Sequence, residues 1–551
     1  MWLLVFSAVR AQTPPAVAVA SAHPAATEAG LEILRAGGNA FDAAVAVSAA
    51  LAVVEPYSSG LGGGGFWLLH LAADDRDLMI DGREKAPLAA RRDLYLDDKG
   101  EVVPGLSIDG PLAAGIPGEP AALAHIARRY GRLPLARSLA PAIRLAREGF
   151  LVDERYRGLA RWRLSVLRRY PRSAALFLAG GEVPPKGHRI RQPQLARTLE
   201  LLAERGREGF YSGEVARRLV RAVRGRGGIW SERDLASYRV VERAPVVARY
   251  RGYRIVSAAP PSSGGVVLVE MLHMLDALGW EDRGDAASLH LLIEVMRRAY
   301  RDRALYLGDP DQVEMPLARL LSREYARSLA RRIDPARATP SARLAGVATE
   351  GPDTTHFSIL DAEGNRVAAT LSINYPFGSG MVAEGTGVLL NDEMDDFSAR
   401  PGAPNVYGLV GGAANAIAPG KRMLSSMTPT FVESPRRVAI LGTPGGSRII
   451  TMVLLGVLEA VAGKPVDDWV RRPRLHHQYL PDEVQLEPGA LDEETQAALR
   501  SMGHRLKVVE RPWGNMQAVL WDRVTGEVGA ASDPRGGGAA RVEPVTAKIL
   551  H

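Results

Sequence analysis

A single change of period divides this 551-residue chain. Before residue 334 most apolar residues recur at helical spacing, and after residue 353 they alternate in the manner of strands. The alanine-rich block "ATEAGLEILRAGGNAFDAAVAVSAALAVV", Ala26 to Val54, suits buried, closely packed helices. Helices also fill Pro120 to Arg207, where "PLARSLAPAIRLAREGF" is clearly amphipathic. A strand-like "YRGYRIVSA" leads to "PPSSGG" at Pro260, which reads as the cap of a long helix through "VVLVEMLHMLDALG". Another helix, "AASLHLLIEVMRRAYRDRALYLG", follows. From Asp334 to Asp353 large apolar residues are scarce and Pro335, Pro340, Gly346, Gly351 and Pro352 recur, so this stretch reads as an exposed connector open to proteolysis. Beyond it, "TTHFSILD" and "RVAATLSIN" flank the turn "AEGN" and predict a hairpin.

Several function classes drop out on composition. No cysteine is present, which removes disulfides, thiol catalysis, iron–sulfur clusters and cysteine-based zinc sites. Net charge is a modest +7, and much of the basic charge is arginine spread through amphipathic stretches such as "RGLARWRLSVLRRYPR". That pattern fits a solvated helical face better than a nucleic-acid stripe. Gly60, Gly62 and Gly65 in "GLGGGGF" satisfy the spacing of a dinucleotide fingerprint, but a helix precedes and a strand follows, the reverse of what that motif needs. Close backbone packing explains the glycines better. The apolar opening "MWLLVFSAV" is too short to span a membrane. It resembles the apolar part of an export signal without the positive start, so residues 1–19 are expected to be an atypical or clipped leader and the protein periplasmic or extracellular.

The doubled threonine raises the chemical question. A threonine hydroxyl needs a base within reach. His356 shares a strand face with Thr354, although their tips need not meet. The alternative base is the α-amine of Thr354 itself, free only if the chain is cut after Asp353. Its unperturbed pKa of about 7.7–8.0 suits general-base work near neutrality.

Taken in order, "GLGGGGF", "DGREKAP", "PPSSGG", "DTTHFSILD", "GVLLNDEMDDFS", "PGAPNVYGLVGG", "KRMLSSMTPT", "GTPGGSRII", "PRLHHQYLPDE" and "GASDPR" resemble the γ-glutamyltransferase (glutathione hydrolase) family of N-terminal-nucleophile hydrolases, from about Ala20 to the C-terminus. The resemblance implies an α+β fold, a four-layer αββα sandwich with helices outside two mainly antiparallel sheets. It implies self-cleavage between Asp353 and Thr354 into a large subunit, residues 20–353, and a small one, residues 354–551, which stay together as one intertwined domain. Thr354 would then attack the γ-carbonyl of glutathione or a related donor, and water, an amino acid or a peptide would take the acyl group. No cofactor is implied.

For substrate binding, the resemblance assigns Arg83 to fork onto the donor's α-carboxylate, with Ser425 and Ser426 bonding the same group. Glu393 and Asp396 would accept from the α-ammonium, assisted by Asn374. Gly445 and Gly446 would form the oxyanion hole, Gly446 also touching substrate. Tyr407 would cover the glutamyl group as a lid. Ser372 stands where the family commonly has threonine, so a hydroxyl that helps orient the nucleophile is kept and a methyl is lost. His476 and His477 alternate along a strand and lack a zinc motif, so no metal is expected. Two rivals stand beside this reading. A cephalosporin or glutaryl amidase of the same fold would not need Glu393 and Asp396. A non-catalytic, basic surface-binding protein would never split near residue 353.

Overall fold

The computed structural model describes residues 13–344, 354–400, 402, 405 and 411–545. Two antiparallel sheets stack face to face between helical layers. The first has seven strands in the order Ala539–Pro544, Ala16–Ser21, Thr355–Leu360, Arg366–Ser372, Gly64–Leu71, Arg76–Gly82, Val241–Arg243. The second has six, in the order Val528–Ser532, Gln517–Asp522, Arg437–Gly442, Thr430–Glu433, Tyr253–Ser257, Val246–Tyr250. Every pairing within both sheets is antiparallel. This is the expected four-layer αββα sandwich.

Strand alternation sorts the layers. Val17, Val19, Phe357 and Ile359 pack on the helical side of the first sheet, while Ala18, Ala20, Leu360 and Ala368 face the second. Alanines on the inner face let the sheets come close; a Cβ built on Gly442 would lie 2.3 Å from the His356 ring. Helix Ala40–Val54, buried at all 15 positions, lies in the helical layer over the first sheet. It is apolar all round because no side meets water, and Asn39 with Asp42 closes its start in a capping box. Helices Gly264–Ala277 and Ile449–Val461 cover the second sheet.

The "AEGN" hairpin forms as expected, with Thr355 opposite Leu371 and Leu360 opposite Arg366. The glycine run follows a helix and opens a strand, and at Gly63 a Cβ would sit 2.1 Å from the Ser372 carbonyl oxygen, so backbones touch there. Each sheet is built from strands on both sides of residue 353. Three expectations need correction. A leader ending at residue 19 would cut strand Ala16–Ser21, which is buried inside the first sheet. The connector after Asp334 is exposed at first but pinned at Ser341, which is buried and donates its N–H to Asp482 Oδ2 at 2.7 Å. In "PPSSGG", Ser263 sits at the helix N-cap without capping; its hydroxyl donates to the Ser425 carbonyl at 2.6 Å. Among the described residues no helix is long and apolar enough to cross a membrane.

Candidate active site

Both sheets end on the same side of the molecule, and the site forms there. Thr354 precedes strand Thr355–Leu360, Ser372 closes the paired strand, and Arg83 follows Gly82 at the end of the next hairpin. From the second sheet, Ser425 and Ser426 lead into Thr430–Glu433, while Gly445 and Gly446 follow Gly442. One small cavity is lined by Thr354, Ser372, Asn374, Arg83, Glu393, Asp396, Ser425, Ser426 and Gly446, with Met427 and Ile449. Residues scattered over the whole sequence thus meet in one small polar space. Asp353 and Tyr407 lie outside the described residues.

The hydroxyl side of this cavity is built by the sheet. Thr354 is 4% exposed, and extending the register places it opposite Ser372. The Ser372 hydroxyl oxygen accepts from the Asn374 N–H at 2.7 Å. Asn374 has a left-handed φ of 74° and donates its amide to the Asp392 carbonyl at 3.0 Å. Gly445, with φ 142°, holds a backbone conformation that residues with a side chain rarely adopt. Gly446, with φ 55°, opens the short turn that runs into helix Ile449–Val461. Backbone N–H groups at a helix start are suited to a developing negative charge.

The opposite side is a charge cluster. Arg83 is buried; its Nη1 meets Glu393 Oε2 at 2.8 Å, its Nη2 bonds Asp396, and its Nε donates to the Met423 carbonyl at 3.2 Å. The fork that the resemblance directs at a substrate carboxylate is here closed on two of the protein's own carboxylates. Burial pushes the Glu393 carboxyl up to about 7, against the pull of Arg83. Burial also raises Asp396, and it holds Glu84 far above the usual carboxylate range, reinforced by the charge of Glu393. Asp396 Oδ1 accepts from the Asn405 amide at 3.0 Å. On the serine edge, Ser425 Oγ accepts from the Met427 N–H at 3.1 Å, and Ser426 Oγ accepts from Arg303 Nη2, also at 3.1 Å.

Comparison with known proteins finds relatives along most of the chain. The sequence model of the family described as Gamma-glutamyltranspeptidase matches residues 26–542. The chain belongs to that family. Within the γ-glutamyltranspeptidases, it is 44% identical over 510 residues to the glutathione hydrolase proenzyme of Pseudomonas sp. (strain A14), covering 91% of this chain and 88% of the relative. It is 42% identical over 539 residues to the glutathione hydrolase proenzyme of Escherichia coli (strain K12), covering 96% and 92%. The crystal structure of cephalosporin acylase from Bacillus halodurans superposes with a TM-score of 0.84 at 30% identity, covering 96% of each chain.

For a γ-glutamyltranspeptidase the structure also decides between the two bases open to Thr354. The His356 ring is buried between the sheets, 2.8 Å from Thr370 Oγ1 and 3.3 Å from Ser358 Oγ. Burial drives its pKa down to about 3. A ring engaged elsewhere on the strand is no base for Thr354, so the α-amine is the candidate. Thr355 points the other way and donates to Glu55 Oε2 at 2.8 Å. His476 bonds Thr451 and Gln478 while His477 meets Asp482, so the two rings share no partner. His70, Asp77 and Glu433 converge with metal-ligand spacing, but Arg254 pairs with both acids and Arg366 with Glu433, which already balances their charge.

Proposed function

We propose that the chain is an autoprocessed γ-glutamyltransferase and glutathione hydrolase, with Thr354 as nucleophile in both reactions. In processing, the Thr354 hydroxyl attacks the Asp353 carbonyl and the peptide N–C bond becomes an ester. Water then cleaves the ester, releasing Asp353 as the carboxyl end of the large subunit and Thr354 with a free α-amine. In turnover that amine takes the hydroxyl proton as the oxygen attacks the donor's γ-carbonyl. The backbone N–H groups of Gly445 and Gly446 stabilise the oxyanion. The leaving amine recovers the proton, and water or an amino-acid or peptide amine resolves the γ-glutamyl ester.

The observation that carries this reading is the cavity itself: a threonine hydroxyl faces a clamp with both acidic and basic members. A γ-glutamyl headgroup, with an α-ammonium and an α-carboxylate, is the acyl group such a clamp fits. The roles of Arg83, Asn374, Glu393, Asp396, Ser425 and Ser426 in binding, of Ser372 in orienting Thr354 and of Tyr407 as lid belong to this proposal. So do the 353/354 subunit boundary and a periplasmic or extracellular location. The cephalosporin acylase likeness supports a second reading, glutaryl amidase, in which the ammonium acceptors would be idle.

Thr354→Ala is the decisive variant. Intact-mass spectrometry should find the parent protein split at residue 353 and the variant whole. The variant should release no aniline from a γ-glutamyl anilide, while Thr354→Ser should split slowly, keeping the hydroxyl without the β-methyl restraint. A Thr354→Ala protein that splits would refute the assignment, and a parent that prefers a glutaryl to a γ-glutamyl anilide would favour the second reading.

A further inference from the structure

Eight arginines are buried among the described residues. Seven have a carboxylate within 4.0 Å, as Arg297 has Glu294, Arg366 has Glu433 and Arg474 has Asp533. The exception is Arg303, near the C-terminal end of helix Ala286–Tyr306. Its Nε donates to Ser263 Oγ at 2.9 Å and its Nη2 to Ser426 Oγ at 3.1 Å, and among the described residues it has no carboxylate partner. The nearest compensation is longer-range: the charge of Asp396 favours the Arg303 cation without touching it. Arg303 sits behind Ser426, which lines the cavity, so an anionic group of a substrate bonded to that serine would lie next to its charge.

The hydrogen-bond directions say how. A guanidinium only donates, so Ser426 Oγ spends a lone pair on Arg303 and its own proton is free to point into the cavity. Ser263, bonded to the same guanidinium, donates to the Ser425 carbonyl, which ties the serine turn to Arg303 from a second side. Arg83 cannot supply uncompensated positive charge, since Glu393 and Asp396 hold its fork.

We propose that Arg303 is a positioning residue for the donor's α-carboxylate: it orients the Ser426 hydroxyl as a donor and places a positive charge directly behind it. This rests on the γ-glutamyl reading. Burial lowers its pKa to about 10, so it stays cationic at neutral pH.

The test uses the split enzyme and compares competitors with and without the α-carboxylate. In the parent, L-glutamate and 4-aminobutanoate, its analogue lacking that carboxylate, are assayed as inhibitors of γ-glutamyl-anilide hydrolysis. Arg303→Met should raise KM for the anilide and Ki for glutamate by about 30-fold or more, the scale of a lost buried charge contact, with kcat changed little. The Ki of 4-aminobutanoate should move by less than about threefold. Arg303→Lys, which keeps the charge and loses the fork, should fall between parent and Arg303→Met. Equal losses on both inhibitors, an unchanged KM, or failure of both variants to split would make Arg303 a structural tie and overturn the inference. A parent with no activity on the anilide would instead defeat the γ-glutamyl reading itself.

Discussion

Thr354 and Ser372 enter the cavity from adjacent strands of one sheet, whereas the clamp opposite them is assembled from segments far apart in the chain. Arg83 follows one strand, Glu393 and Asp396 belong to a short turn, and Ser425 and Ser426 lie in a loop tied down by Ser262 and Ser263. A ladder of backbone hydrogen bonds positions the first group whatever its side chains are. In the second group each charge is positioned by another charge, in a space from which water is largely excluded. Reaction geometry should therefore survive side-chain changes that recognition does not, because removing one member of a buried ionic set leaves the rest uncompensated.

The sharpest way to break the contrast is to remove one carboxylate. Asp396→Ala leaves Arg83 with Glu393 at 2.8 Å and Glu84 at 3.6 Å, and removes an acceptor of the Asn405 amide. Arg83→Lys replaces a fork that spans two acids with a single ammonium. Both variants should still split, since neither side chain belongs to the ladder. Binding of γ-glutamyl donors should weaken by about 2–5 kcal/mol, read as a rise in KM with a smaller change in kcat. If KM for a γ-glutamyl anilide barely moves in both, the clamp assignment fails. If splitting stops as well, the two sides are not separable.

A smaller effect is expected on the hydroxyl side, at Thr355. Its side chain points to the opposite face of the strand from Thr354, so Thr355→Ala should keep substantial processing. Its hydroxyl, however, is fully buried and donates to Glu55, so the alanine leaves a buried carboxylate oxygen short of a donor. Such a loss costs about 1–3 kcal/mol. Thr355→Ala should lower the melting temperature and slow the split without preventing it, and Thr355→Ser should restore both. A melting point that is the same in all three proteins would show that the contact contributes nothing.

What could be read from the chain followed from how local the signal was. Alternation around "AEGN" was enough for the hairpin, and apolarity on every side of Ala40–Val54 was enough for a buried helix. Motif order was enough to reject a nucleotide site at Gly60. The contents of the cavity were legible only through resemblance, because Arg83, Glu393 and Ser426 approach one another by topology and no spacing rule links them. Arg303 had no signal at all: in "RRAYRDR" it is one arginine among four, and only burial without a carboxylate sets it apart. Ser263 misled for a related reason. A serine before a glycine-led helix looks like a cap, and only the fold shows that its hydroxyl serves the Ser425 turn. His356 was undecidable until the second sheet closed over it, which removed both its proton affinity and its reach.

The mildest effect should come from pH, and it separates the two sides without deleting either. Burial raises Glu393 to about 7, whereas the nucleophile's base is an α-amine with an ordinary pKa of about 7.7–8.0. Only ionised Glu393 can hold the donor's ammonium, so KM for a γ-glutamyl anilide should fall about tenfold from pH 6 to pH 8, following its ionised fraction. The turnover number should instead rise on the amine's limb, at higher pH. Glu393→Gln should flatten the KM profile and leave the turnover limb where it was. Stability supplies an independent reading with the opposite sign. A carboxyl raised from 4.5 to about 7 binds its proton more tightly folded than unfolded, so its contribution is complete below pH 4.5 and is lost as pH rises through 7. The parent should lose stability between pH 5 and pH 8 relative to Glu393→Gln. A KM that ignores pH in the parent, or that keeps its slope in Glu393→Gln, would mean that another group gates donor binding and that the charged side of the cavity is not tuned through Glu393.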